Sequence, residues 1–264
     1  MSPAERYRSS SPAPPLGPPL VITALRHAAA HPDRPAVVDG ATGERFSRAE
    51  LAERSAALAA GLAERGVGRG DIVAVALPNV ASWPIVALAV WRTGAGLSAL
   101  APFPTAEETE RMLARVPPRI AIASGLGADS VQRALAAAGI AAEVFAAERQ
   151  AQGATPLERL CTRAGEHPFA EPRLDPGDLA LVAFSGGIGG LPRGVRLTHG
   201  NLTAAVAQVA DSFAAAERST PTRSFSAAPP SSTPRASAGR SARRSPSAPR
   251  SSRSRSRSPS ESSS

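Results

Sequence analysis

Two short, unbroken apolar runs, Ile72 to Leu77 and Leu179 to Phe184, constrain this chain more than any other feature. Each is too short to cross a membrane as a helix, and too continuous for a strand with one face in water. A run of this kind reads as a strand buried on both faces, as in a parallel sheet held between helical layers. The intervening segments read as helices. Ser47 with Glu50 has capping-box spacing, in which each residue bonds the other's backbone N–H. It opens a helix with Leu51, Leu58 and Leu62 on one face, ending at Gly66. Thr105 with Glu108 predicts a second such box, on a helix that ends before Pro117-Pro118.

Further helices are expected from Pro19 to Ala30, Trp83 to Arg92 and Asp129 to Ala138, with Trp83 and Trp91 in the core. Strands are expected from Gly96 to Leu100, Arg119 to Ala123 and Ala142 to Phe145. Ala36 to Val38 and Arg45-Phe46 read as a small hairpin across Gly40 to Gly43. Val195 to His199 resumes a strand, and Asn201 is placed to cap a last helix with Leu202, Val206, Val209 and Phe213 on one side. Alternating strands and helices predict an α/β fold, mostly parallel sheets with flanking helices. In such sheets ligands bind at the loops that follow strands.

Charge divides the chain. All 30 basic residues are arginine, which excludes chemistry by a lysine of this chain. Residues 1–218 hold 21 arginines and 21 acids, whereas residues 219–264 hold 9 arginines and one acid, Glu261. The formal charge of +8 therefore belongs to the tail. That tail also carries 18 serines and 7 prolines, with Phe225 its one large apolar residue. It cannot bury enough apolar surface to offset its ordering entropy, so disorder is expected. Three regions follow: a Pro-rich segment over 1–18, a folded body over 19–218 and the tail over 219–264.

Cys161, the one cysteine, excludes an internal disulfide and a cysteine zinc cage, and a buried or inert thiol is expected. The apolar stretch Ile72 to Trp91 is interrupted by Pro78, Asn79, Ser82 and Pro84. It reads as strand, turn and core helix, not as a membrane span. No signal-peptide pattern is seen, and a cytoplasmic location is expected. His27, His31, His167 and His199 lack metal-ligand spacing. No metal ligand and no catalytic residue is assigned.

After the strand Leu179 to Phe184 comes Ser185-Gly186-Gly187-Ile188-Gly189-Gly190-Leu191-Pro192-Arg193-Gly194-Val195. Its clustered glycines let the backbone bend close to a ligand and aim N–H groups inward, a nest for phosphate oxygens. Arg193 stands where a cation meets phosphate charge. A flexible turn is the other reading of such composition. The loop has no Gly-Lys-Ser/Thr ending and no helix directly after its glycines, so it is neither a Walker A loop nor a dinucleotide fingerprint.

Ser185 through Leu202 resembles the phosphate-binding signature of the adenylate-forming, or AMP-binding, superfamily, S-S-G-T-T-G-L-P-K-G-V followed by T-H-x-N-L. Gly190 to Val195 and Thr198-His199-Gly200-Asn201-Leu202 match nearly residue for residue. Upstream, Tyr7-Arg8-Ser9, Phe46-Ser47 through Leu51, Gly70 to Ala74, Leu77-Pro78-Asn79, Gly94-Ala95 through Pro102 and Thr105 through Glu108 follow the pattern in order. The chain is similar in this to 4-coumarate–CoA ligase-like acyl-CoA synthetases, over about residues 5–218.

The resemblance implies the N-terminal part of the large domain of such a ligase. It implies ATP-dependent activation of an aryl or fatty carboxylic acid to an acyl-adenylate, then thioester formation with CoA. ATP, Mg2+ and CoA are the implied cofactors, and ATP with a small carboxylic acid the implied partners. Ser185, Gly186, Gly187, Ile188, Gly189, Gly190 and Arg193 would hold the ATP phosphates, with Thr198 and His199 supporting the loop. Gly186, Ile188 and Gly189 replace hydroxyl residues of the family pattern, and Arg193 replaces its lysine.

Beyond about Ser219 nothing resembles the family. The expectation is a truncated chain, inactive alone, with a tail read out of frame. The alternative is a non-catalytic remnant whose tail, with Arg253, Arg255 and Arg257 between serines, binds RNA or protein non-specifically.

Overall fold

The computed structural model describes residues 17–103, 105–147, 154–161, 169–185 and 192–219. The Pro-rich segment up to residue 16 and the tail from residue 220 lie outside the described residues, as do the readings made of them. The elements run α1 (Leu20–Ala30), β1 (Pro35–Val38), β2 (Arg45–Ser47), α2 (Arg48–Glu64), β3 (Ile72–Ala76) and α3 (Ser82–Arg92). Then come β4 (Gly96–Ala99), α4 (Ala106–Arg115), β5 (Ile120–Ala123), α5 (Ala128–Ala137) and β6 (Glu143–Ala146). A short strand β7 (Thr155–Pro156), a 3-10 turn (Leu157–Leu160), β8 (Leu179–Ser185), β9 (Arg193–Thr198) and α6 (His199–Ser219) complete them.

β1 and β2 pair as an antiparallel hairpin. The other seven strands form one sheet in the order β7-β6-β5-β3-β4-β8-β9. Every pairing in it is parallel except that of β9, which runs antiparallel to β8. β8 is thus the last parallel strand, and the chain turns straight back along it.

Successive side chains of a strand point to opposite faces, and the register aligns them across the sheet. Val73, Val75, Leu97, Ile120, Ile122 and Phe145 fill one face, in the same core as Val21 of α1, Leu58 and Leu62 of α2, and nearly all of α3. Ala74, Ala76, Ala121, Ala123 and Val144 line the other, with Met112 and Leu113 of α4 and Val131 and Leu135 of α5. Burying a leucine such as Leu58 or Leu62 contributes about 1.5–3 kcal/mol, so the first core is the larger source of stability. Gly61 lets α2 touch the 3-10 turn; a Cβ there would stand 1.4 Å from the Leu160 carbonyl oxygen.

The Ser47–Glu50 box forms with both bonds, Glu50 N–H to Ser47 Oγ at 3.2 Å and Ser47 N–H to Glu50 Oε2 at 2.7 Å. Thr105 makes the forward half of its box, Oγ1 accepting from Glu108 N–H at 3.2 Å. Trp91 is buried and Trp83 packs partly buried against the same core.

The expected cap of the last helix needs correction. Asn201 is not the cap of α6, because the helix begins two residues earlier at His199. Thr198 takes that role: its Oγ1 accepts from Asn201 N–H at 3.2 Å while Asn201 Oδ1 accepts from Thr198 N–H at 3.0 Å. The Thr-x-x-Asn spacing makes a capping box whose second member is an amide instead of a carboxylate.

The apolar side of α6 is only partly buried. Leu202 reaches the core, but Val206, Val209 and Phe213 are exposed. Cys161, expected to be buried or inert, is exposed as a residue. Its thiol is nevertheless raised above the usual range by desolvation and by Glu158, which keeps it a poor nucleophile. Among the described residues no helix is long and apolar enough to cross a membrane.

Candidate functional site: the β8–β9 hairpin

The site is built on the parallel pairing of β8 with β4, which joins Leu97 to Leu181 and Ala99 to Ala183. That pairing carries the end of β8 to the rim where β3, β4 and β5 also end, the rim where parallel sheets bind ligands. The return strand pairs Phe184 with Gly194 and Ser185 with Arg193. Ser185 and Arg193 thus face each other across the mouth of the hairpin, and both are exposed. Among the described residues no carboxylate pairs with Arg193. Gly186, Gly187, Ile188, Gly189 and Gly190, also assigned to phosphate binding, lie outside the described residues.

Below the hairpin, His199 is completely buried at the first position of α6. Its backbone N–H donates to the Asp178 carbonyl at 3.0 Å, so the start of α6 is tied to the turn that starts β8. Its ring meets Trp91 edge-on, 5.8 Å between centroids, and the Trp91 indole N–H donates to the Ala180 carbonyl at 2.8 Å. α3, β8 and α6 therefore meet at one aromatic contact. Neither ring nitrogen has a hydrogen-bond partner among the described residues. Burial lowers the imidazole pKa, with Asp178 opposing more weakly, so the ring is neutral at physiological pH.

Sequence reasoning placed Ser185, Arg193, Thr198 and His199 along one hairpin; the structure sets Ser185 and Arg193 at its mouth, whereas Thr198, level with Leu179, and His199 lie at its opposite end, away from the glycine loop they were expected to support. It missed Ser124, which closes β5 and is nearly buried. Ser124 Oγ accepts from Gly127 N–H at 3.1 Å and donates to the Pro102 carbonyl at 3.3 Å, tying two loops of the same rim together. A lone serine after an apolar strand was its one signal. The Trp91 contact left no local signal, since Trp91 and His199 meet only through the fold.

A trough of about 690 Å³ runs along the hairpin on the face of Ala74, from Asp71 and Gly177 up to Phe184 and Gly194 beside the loop. Among the described residues no group of three or more His, Cys, Asp or Glu side chains is arranged to hold a metal ion.

Comparison with known proteins gives the family. The family model described as AMP-binding enzyme matches residues 25–232. 4-Coumarate–CoA ligase 3 of Oryza sativa subsp. japonica is 32% identical over 178 residues, covering 67% of this chain and 31% of that protein. 4-Coumarate–CoA ligase CCL1 of Humulus lupulus is 30% identical over 185 residues, 68% of this chain and 33% of that protein. The solved long-chain-fatty-acid-CoA ligase of Archaeoglobus fulgidus shares the fold, with a TM-score of 0.66 over 79% of this chain and 42% of that one, at 23% identity. This chain thus spans about a third of the length of the curated relatives it matches. On the extent of the family match and the order of its motifs, the chain belongs to the AMP-binding enzyme family of adenylate-forming ligases.

Proposed function

We propose that the β8–β9 hairpin binds the β- and γ-phosphates of ATP, and that the chain serves an acid–CoA ligation. The observation that carries this is the pairing of Ser185 with Arg193 at the carboxyl rim, a hydroxyl and a guanidinium without a carboxylate partner among the described residues, at the two ends of a glycine loop. A hydroxyl, a cation and close-approaching backbone N–H groups suit phosphate oxygens. Arg193 offsets charge on the leaving pyrophosphate, and Ser185 donates its hydroxyl to a phosphate oxygen. Thr198 holds the turn into α6, and His199, neutral and buried, anchors that turn to α3 through Trp91.

In the reaction served, an oxygen of an aryl or fatty carboxylate bonds to the α-phosphorus of ATP. The bond from that phosphorus to pyrophosphate breaks, leaving an acyl-adenylate. The CoA thiolate then bonds to the acyl carbon, and the acyl–oxygen bond to AMP breaks. Magnesium is ordinarily held by one or two carboxylates together with substrate phosphates; among the described residues no group of three or more such side chains is arranged to hold a metal ion, and no step is assigned to that ion.

Calorimetric titration with ATP and with AMP tests the reading. A charge-assisted hydrogen bond contributes roughly 1.5–3 kcal/mol. Arg193→Ala is therefore expected to weaken ATP binding by about 10- to 100-fold while leaving AMP, which has no β- or γ-phosphate, unchanged. Equal ATP affinity in the two proteins sinks the assignment. Acid-dependent exchange of pyrophosphate into ATP, above a no-enzyme control, would extend the reading from binding to chemistry within this chain.

A further inference from the structure

β8 and β9 do not pair evenly along their length. At the closed end of β8 Leu179 stands opposite Thr198, and the next pair is Leu181 with Leu197. Between these pairs β8 carries one residue more than β9, Ala180, which makes a β-bulge. From there the ladder runs unbroken through Val182 with Arg196, Ala183 with Val195 and Phe184 with Gly194 to Ser185 with Arg193. The bulge therefore decides which residues face each other at the mouth. Without it, a ladder starting at Leu179 and Thr198 would set Val182 opposite Val195 and Phe184 opposite Arg193. A one-residue slip moves a side chain to the other face of a sheet. Arg193 would then leave the face it shares with Ser185 for that of Phe184, which packs with the second core.

We propose that Trp91 is a positioning residue that selects the bulged register, and through it the placement of Arg193 opposite Ser185. Trp91 belongs to α3 and touches the chain on both sides of the bulge. Its indole N–H donates to the Ala180 carbonyl at 2.8 Å. Its ring meets edge-on that of His199, the residue that follows β9, with 5.8 Å between centroids. The His199 N–H in turn donates to the Asp178 carbonyl at 3.0 Å, which fixes the ladder on the near side of the bulge.

Ala180 is 0% exposed and Trp91 8%, so this donor has no bulk water to turn to. An indole N–H donates and cannot accept. Closing the bulge shifts Ala180 and leaves a buried donor without its acceptor, which is costly. The bulged register is the one that satisfies it. Trp91 acts through the ladder, which carries the register from Leu181 to Ser185. The consequence for ATP rests on the phosphate reading of the hairpin, whereas the choice of register does not.

The test uses the full chain with Trp91→Phe, which keeps an aromatic ring against His199 and removes the donor. Trp83→Phe, the same change at the other tryptophan, is the control. Nuclear Overhauser contacts between Hα atoms read the register without ligand. They join Val182 to Arg196 when the bulge is held and Val182 to Val195 when it is closed. The unchanged protein and Trp83→Phe should show the first contact alone. Trp91→Phe should show the second, and should bind ATP about tenfold more weakly by calorimetry with AMP binding unchanged. Should Trp91→Phe fail to fold, a subtler replacement serves: in Trp83→Phe, residue 91 is supplied biosynthetically as 3-benzothienylalanine, which keeps the ring shape and carries sulfur in place of N–H. It is expected to behave as described for Trp91→Phe. The proposal is overturned if the protein without the donor keeps only the Val182–Arg196 contact, even where it melts at lower temperature. It is equally overturned if the register changes and the ATP affinity does not. If Arg193→Ala leaves ATP binding unchanged, the phosphate reading falls, and the Hα contacts still decide the role of Trp91.

Discussion

The two faces of the sheet come from the same strands, yet they are finished differently. One carries Val73, Val75, Ile120, Ile122 and Phe145, and helices lie along it. The other carries Ala74, Ala76, Ala121 and Ala123, and two helices cover only part of it. Branched and aromatic side chains bury much apolar area on the first face. Alanines line the face on which α4 and α5 pack, and a trough of about 690 Å³ opens there beside β8 and β9. Apolar burial is therefore concentrated on the first face. The same strand can serve both because its side chains alternate.

Substitutions can break or sharpen this contrast. The largest effect is expected from Phe145→Ala, which empties the centre of the closed face; burial at this site is complete, and such truncations cost about 3–5 kcal/mol. Chemical denaturation monitored by circular dichroism would read it. Gly61→Ala comes next, at about 3 kcal/mol, because its methyl group collides with the Leu160 carbonyl on the fixed backbone of the 3-10 turn. Near-native stability would show that the turn yields freely.

The direct comparison is Val75→Ala against Val182→Ala. Both residues are almost fully buried, at 1% and 2% exposure, but Val182 borders the open trough. We expect about 2 kcal/mol for Val75 and about 1 kcal/mol for Val182, since water and side chains can fill the second site more easily. Equal costs would remove the distinction between the faces.

A pH profile adds a smaller effect. The pKa of His199 lies below the ordinary imidazole value of about 6.5. The folded chain thus takes up fewer protons than the unfolded chain just below that value. Stability is then highest above about pH 7 and falls as pH drops through 6.5. His199→Phe should flatten thermal melting in that window while leaving the carboxylate-driven loss at lower pH. An unchanged slope would place the titrating group elsewhere. The smallest effect is expected for Val209→Ser with Phe213→Ser on the outer side of α6, within about 0.5 kcal/mol for each change. A larger loss would show that this stripe is covered in solution.

Much of the fold was legible because its signals are local. The runs at Ile72 and Leu179 became β3 and β8, and Ser47–Glu50 opened α2 as a capping box should. The last helix was legible in extent but not in detail. Asn201 suits a cap, yet Thr198 stands three residues before it with the same chemistry, and only the backbone path chose between them. The stripe of Leu202, Val206, Val209 and Phe213 has correct helical spacing, but spacing does not say whether a partner surface is present. At the site, Ser185 and Arg193 were named from the loop motif, whereas Ser124 carries no motif and emerged only when two rim loops met.

By itself the sequence determined the order of strands and helices, the parallel class of the sheet, the glycine loop after β8 and the kinship with adenylate-forming ligases. All of these rest on residues near one another in the chain, where periodicity, capping and motif spacing act. Tertiary structure alone decided that β9 turns back antiparallel, that His199 is buried against Trp91, and that a trough opens beside β8 and β9. Those depend on which strand neighbours which and how far each helix reaches. Long-range packing sets both, and no local pattern encodes either.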